Sequence, residues 1–509
     1  MKKCVPTTDP VSPMLIPAHI PSVIDGARIL PAARGVDLPI FNPATEALIC
    51  HLREADPAEI DLAVRAARRA FDAGPWPRYS IDKRTEILYA IRDLLRAHAE
   101  ELAVLEVLHT GLPITGVRQH VQRAAKNFEM FAEVASTLAG ETYTQSSHYL
   151  TYVTREPKGV AALIAPWNAP LALASMRVAT CIAFGNTCVL KPSEFTPVSM
   201  LRMVELFQEA GLPDGVVNLV NGRGSVTGVS LVSHPGIDMV GFTGGSNTGR
   251  SIMAAAGANL KPCILELGGK SASIVFESAD LDQALDGTLL GIYGNNGQQC
   301  LAGSRILLQR SIADAFIEAF VARTQNIRIG DPMDSATELG PLAYEAHMER
   351  VLGFVEVADQ DGARLLCGGR RAAGFDKGWF IEPTAVLAKD NADRICQQEI
   401  FGPFATFLIF DSIEEAVAMA NRSIYGLVSY VWSQDLLAVM RCSRDIRAGV
   451  VWVNTPMIRE LRAPFGGYKE SGVGRDGATS SAEFFTEYKT TTIAIEPVAM
   501  SRLGLSRQA

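Results

Sequence analysis

No run of about 18 apolar residues occurs anywhere in the chain, so nothing in it reads as a helix that crosses a bilayer. The cysteines form no CxxC pair and no Cys/His cluster with metal-ligand spacing, which argues against a zinc site. Nine of them, an odd number spread from Cys4 to Cys442, make no disulfide framework either. Reduced thiols in a cytoplasm are the expectation. Charge of one sign does not dominate: a net −8 and a pI near 5.6 give no electrostatic reason to expect nucleic acid or an anionic membrane as partner. The N-terminal stretch MKKCVPTTDPVSPMLIPAHIPSVIDG has two lysines, but five prolines interrupt its apolar residues and leave no secretory h-region. Internal repeats and low-complexity tracts are also missing.

What is present is the composition of a soluble globular protein, 48% hydrophobic and 20% charged. At 509 residues the chain is too long for one core, so two or three domains are expected. Residues 57–108 and 117–139 space their apolar positions three and four apart and read as helix, whereas 147–159 alternates as a strand does. From 160 to 266 short apolar strands alternate with helical segments, the pattern of a parallel sheet covered on both faces. Ligands on such sheets sit beyond the carboxyl ends of the strands. Attention therefore falls on Trp167-Asn168, Lys191 to Glu194, Gly222 to Gly228, Gly244-Gly245 and Glu266. A second α/β unit follows residue 270, with strands expected in 399–410 and 450–454; the tail 483–495 has strand character and little helix pattern.

Several short motifs admit chemistry, each with a bland alternative. NGRGSVTG (221–228) follows a strand and opens a helix, and its glycines would let backbone approach a diphosphate. Gly222, Gly224 and Gly228 give GxGxxxG, one residue longer than the dinucleotide fingerprint, and a turn that binds nothing explains them equally well. In VLKPSE, Glu194 at a strand end can accept hydrogen bonds from an adenosine ribose and would repel a 2′-phosphate; Pro192-Ser193-Glu194 also suits a plain helix start. Glu266 in ELGGK is either a solvated turn carboxylate or a general base with a raised pKa. Asn168 in APWNAP is either an ordinary turn residue or an amide donor to an oxyanion. Cys300 stands in GNNGQQCLAG, among glycines and amides rather than the hydrophobic company a packing cysteine keeps.

Taken in order, PWN, KPSE, FTGG, ELGGK, GQQC, EIFGP and PFGGYKESGVGRDG resemble the NAD(P)-dependent aldehyde dehydrogenase superfamily over nearly the whole chain. The resemblance implies an α/β aldehyde dehydrogenase fold with two doubly wound parallel-sheet domains and a small β bridging segment. An NAD-binding domain would comprise 1–139 and 156–267, a catalytic domain 268–468, and an oligomerisation segment 140–155 with 484–509, pairing subunits into a homodimer or homotetramer. It also implies the roles. Cys300 would be the nucleophile, Asn168 an oxyanion donor and Glu266 the base that activates water. NAD would be held by Trp167, Lys191, Glu194, Gly224, Gly228, Gly245, Ser246, Glu399 and Phe401. Two departures stand out: FTGGS replaces the usual FTGS, moving the hydroxyl to Ser246, and Asp476 replaces a glutamate with no catalytic consequence expected.

NTPMIRELRAPFGGYKESG is most similar to members that oxidise hydroxymuconate- or aminomuconate-type semialdehydes from aromatic ring cleavage. Arg462, and Arg118 at the start of a helix, would then hold the substrate's distal carboxylate, with Arg123 competing for the place of Arg118. The alternative is an oxidant of uncharged or cationic aldehydes (aliphatic, aromatic, terpenoid or betaine type), whose arginines should face water. Rival classes are a CoA-acylating relative, a cysteine hydrolase and a structural homologue. Relatives of the first kind generally lack the glutamate found here as Glu266, the second would need a histidine base, and the third would be free to lose Cys300 or Glu266.

Overall fold

The computed structural model describes residues 16–30 and 36–504; the proline-broken start with Cys4, and residues 505–509 of the expected bridging tail, lie outside them. Two large sheets carry the architecture. The first has eight strands, in the order Gly472–Val473, Cys263–Glu266, Met239–Thr243, Val160–Ile164, Thr187–Lys191, Val217–Leu219, Ser22–Ile24 and Ala27–Ile29. Its five central strands run parallel. They are apolar at nearly every position because helices cover both faces: Val160–Ile164 and Thr187–Lys191 are buried throughout. The edge strands are antiparallel additions. Ser22–Ile24 and Ala27–Ile29 form a hairpin closed by Asp25 and Gly26, whose φ values of 52° and 80° give the left-handed pair that a tight hairpin requires.

The second sheet has seven strands: Arg364–Cys367, Thr384–Leu387, Phe404–Phe410, Arg305–Gln309, Ala272–Val275, Val428–Trp432 and Val450–Val453. All its pairings are parallel except that of Arg364–Cys367. Each sheet packs between its own apolar clusters. A third, antiparallel sheet is built from Glu141–Ser146, Tyr149–Pro157 and Thr486–Ala494 and exposes Tyr143, Leu150, Tyr488 and Ile493.

Residues 57–108 are helical as expected, divided into Pro57–Asp72, Ile81–Ala97 and Ala99–Thr110, with Gly74, Pro75 and Pro77 stopping the first. Asp56 caps that helix by accepting from Glu59 N–H at 2.9 Å. The tail 483–495 begins inside the helix Ala478–Phe485, whose Ala482 and Phe485 are buried in the first core, and becomes strand only at Thr486. No helix among the described residues is long and apolar enough to cross a membrane.

Candidate active site

Asn168 and Glu266 sit where strands end. Val160–Ile164 runs out into Pro166-Trp167-Asn168 before the helix Pro170–Ala183 begins, and Cys263–Glu266 delivers Glu266 beside Thr243. In the second unit the helix Leu281–Tyr293 gives way to the loop that bears Cys300. Asn295, Asn296 and Gly297 all have positive φ, and a side chain on Gly297 would collide with the Gly402 carbonyl. Three consecutive left-handed residues are costly, and here they aim one loop into a cleft.

That cleft, about 280 Å³, is lined by Trp167, Asn168, Gly244, Gly245, Glu266, Cys300, Tyr344, His347, Arg350, Glu399 and Phe401. Its walls meet through glycine. A Cβ on Gly268 would strike the Glu399 carboxylate, and one on Gly269 would lie 2.5 Å from the Cys300 carbonyl oxygen. With neither present, Gly269 N–H donates to Glu399 Oε1 at 2.9 Å. Asn168 Nδ2 donates to the Gln298 carbonyl at 2.8 Å, and Asn295 Nδ2 to the Asn168 carbonyl at 2.9 Å, so the amide is fixed with a second N–H to spare.

Electrostatics raise the pKa of both reactive groups. Burial, aided by the Glu399 and Glu266 carboxylates, pushes the Cys300 thiol up to about 12. Burial and the neighbouring Asp476 raise Glu266 well above the usual carboxylate range, against the pull of Arg177, Arg459 and Arg475. Neither Glu266 oxygen has a hydrogen-bond partner among the described residues. A buried carboxyl with a raised pKa and no partner is placed to carry a proton rather than to build structure.

On the cofactor side, Trp167 meets Tyr344, His347 and Phe401 edge-on at 5.4, 5.0 and 5.3 Å. His347, from the helix Glu345–Gln360, is lowered by burial to about 4 and is therefore neutral; its Nε2–H donates to the Phe401 carbonyl at 2.8 Å. Arg350, one turn on, donates to the Ile400 and Glu399 carbonyls. Lys191 and Glu194 stand on the neighbouring strand end, 3.5 Å apart. Gly224 and Gly245 have open space where a Cβ would be, and Gly228 packs over Lys191. Gly245 opens the helix Ser246–Gly257 with no side-chain cap, so its N-terminal N–H groups remain for an anion. Open glycines, a free helix start and a strand-end carboxylate fit a dinucleotide.

Three sequence expectations do not match the geometry. Ser246 is turned away from the cleft: its hydroxyl donates to the Glu470 carbonyl at 2.9 Å. Arg118 is spent on Glu100 in a two-pronged pair at 2.9 and 2.6 Å with 48% of its side chain exposed, and Arg462 is spent likewise on Glu460 at 72%. Neither lines the cavity. Asp476, expected to be inconsequential, makes a buried 2.5 Å ion pair with Arg177 beside Glu266.

Of the guanidiniums nearby, Arg459 acts on both Cys300 and Glu266, Arg177 and Arg475 act on Glu266, and Arg123 adjoins Arg459. Arg459 lies over the Phe465 ring at 3.9 Å, and its Nε and Nη2 have no partner among the described residues. Burial lowers it, opposed by Asp476, Glu266 and Cys300, which places those groups around it. Arg123 is lowered to about 9 by burial and by Arg459 itself, and its Nε donates to Asn127 Oδ1 at 3.1 Å. Arg459 was missed because Arg462, closer to PFGG in sequence, drew the assignment.

Known proteins resemble this chain over nearly its whole length. The chain is 42% identical to aldehyde dehydrogenase 1 of Tanacetum cinerariifolium over 89% of its own length and 91% of that protein's. It is 42% identical to 5-carboxymethyl-2-hydroxymuconate semialdehyde dehydrogenase of Escherichia coli, covering 87% and 94%. An NAD+ complex of aldehyde dehydrogenase from Bacillus cereus superposes with a TM-score of 0.93 at 38% identity, covering 97% of this chain and 100% of that one. With the model of the aldehyde dehydrogenase family matched across residues 31–491, this chain belongs to the aldehyde dehydrogenase family.

Proposed function

We propose that the protein oxidises a carboxylate-bearing semialdehyde, of the 2-hydroxymuconate semialdehyde type, to the dicarboxylic acid with NAD. The observation that carries the substrate class is Arg459. A half-buried guanidinium whose Nε and Nη2 are buried without a partner among the described residues, beside a second half-buried guanidinium, is costly unless an anion joins it. Four arginines (Arg123, Arg177, Arg459 and Arg475) act on this region, against the carboxylates Glu266 and Asp476. An aldehyde with a distal carboxylate supplies the missing charge, and the arginine fork can hold it by two parallel bonds.

The chain's own residues then perform the reaction. The Cys300 sulfur, once its proton has left, bonds to the aldehyde carbon, and the carbonyl oxygen becomes an oxyanion that the spare Asn168 N–H can stabilise. NAD, held by Trp167, Glu399 and Phe401 and by the Gly244-Gly245 turn, supplies the acceptor to which the carbon gives up its hydride, leaving a thioester on Cys300. Glu266 takes a proton from water, the hydroxide adds to the thioester carbon, and the carbon–sulfur bond breaks to free the acid and the thiol. The exposed apolar residues of the three-stranded sheet support pairing with a second copy.

The test is NADH formation on 2-hydroxymuconate semialdehyde and on an aldehyde of similar length without the carboxylate. A preference above about a hundredfold, near 2.7 kcal/mol, is expected, and Arg459→Ala should remove most of it. Equal rates, or a preference for the neutral aldehyde, would leave the oxidation chemistry standing and refute the charged substrate.

A further inference from the structure

Two aromatic rings are stacked at the rim of the cleft, and the reaction described above uses neither. Phe195 directly follows Glu194, in the turn between the strand Thr187–Lys191 and the helix Val198–Glu209 of the first sheet's unit. Tyr344 directly precedes the helix Glu345–Gln360 of the second unit and lines the cleft. Their ring centroids are 3.9 Å apart and the rings lie 4° from parallel. The stack therefore ties one α/β unit to the other.

Each ring is carried by a part of the site. On the first side, the Phe195 N–H donates to Ser193 Oγ at 3.3 Å and the Thr196 N–H to the Ser193 carbonyl at 3.2 Å, which closes the turn on itself. On the second side, the Gly340 N–H donates to Asn296 Oδ1 and Asn296 Nδ2 to the Pro341 carbonyl, both at 2.9 Å. The Ala343 N–H donates to Gln298 Oε1 at 3.0 Å. Asn296 and Gln298 belong to the loop that bears Cys300, so the nucleophile loop also sets the position of Tyr344. Phe195 is 38% exposed and joins none of the apolar clusters among the described residues, whereas Tyr344 packs at the edge of one. What covers the Phe195 ring is the face of Tyr344.

Trp167 meets Tyr344 and Phe401 alike, at 5.4 and 5.3 Å, so the stack shares a wall with the pocket beside Cys300. A dinucleotide reaching from Glu194 to Phe401 runs past it. Resting on the reading of this cleft as the NAD site, we propose that Phe195 and Tyr344 form a clasp over the cofactor's path, and that the two rings part when NADH leaves. A stacked pair is worth about tenfold in the balance between joined and parted rings, and removing either ring forfeits that factor. Release steps of this kind set the turnover of many dehydrogenases and other enzymes with closing loops. A stack that only braced the two units would weaken folding and leave release alone.

The test is stopped-flow fluorescence of NADH leaving the full-length protein on mixing with excess NAD, with unfolding in denaturant measured alongside. Phe195→Ala and Tyr344→Ala should each speed release about tenfold, and Phe195→Tyr, which keeps the ring, should restore slow release. The double alanine variant should release NADH no faster than either single one, because both remove the same stack. Release within twofold of wild type in a folded Phe195→Ala, or effects that multiply in the double variant, would overturn the clasp and leave the cofactor site standing. Failure of wild type to bind NADH would remove the cofactor site and the clasp together.

Discussion

Replacing Gly269 by alanine tests how tightly the nucleophile is held. The added Cβ would sit 2.5 Å from the Cys300 carbonyl oxygen, where ordinary contact begins at 3.4 Å, so one of the two loops must retreat by about 0.9 Å. The obstacle is backbone and cannot swing aside. Gly269 does not have a positive φ, so alanine brings no conformational penalty of its own. Its N–H also fixes Glu399, so the same retreat loosens the cofactor-side carboxylate. A misplacement near 1 Å costs on the order of a hundredfold in rate, or about 2.7 kcal/mol of transition-state stabilisation. Steady-state NADH formation should show kcat reduced by about that factor, with the thermal transition still cooperative. A kcat within threefold of wild type in a folded variant would refute the claim that the ELGGK glycines position Cys300.

Other outcomes follow from the charges. With the Cys300 thiol pushed up to about 12, only about one molecule in ten thousand carries the thiolate at pH 8, and its fraction rises tenfold per pH unit below the pKa. Iodoacetamide labelling of Cys300 without cofactor should accelerate accordingly from pH 7 to 10, and a plateau by pH 8 would contradict the burial effect. Asp476→Asn leaves Arg177 buried without its counter-charge, which should cost about 3–5 kcal/mol in denaturant unfolding. Because Asp476 raises Glu266, the same substitution lowers the Glu266 pKa, so the acid limb of turnover should move to lower pH; movement to higher pH would reverse the assigned coupling.

The parallel sheets and the strand-end residues were legible because buried parallel strands are apolar at every position and chemistry gathers where they stop. The arginines were harder, yet part of the answer lay in the helix Ile114–Thr137. Arg118, Gln122, Lys126, Glu129 and Glu133 recur at three- and four-residue steps and form its solvent stripe, while Arg123 shares a face with buried Asn127 and Met130. Phase along that helix, rather than nearness to its start, separates the two residues. The loop at 454–464 has no such period; that Glu460 captures Arg462 and leaves Arg459 inward is a fact of three dimensions. The turn of Ser246 toward Glu470 is likewise unreadable, since the partner lies 224 residues away.

The most direct test of the chemistry is the mass of Glu266→Gln mixed with NAD and aldehyde in a single turnover. One NADH per subunit should form, and the peptide bearing Cys300 should gain the mass of the aldehyde less two hydrogens, the thioester left when water is not activated. An unmodified Cys300 with normal steady turnover in that variant would contradict the assignment of nucleophile and base together.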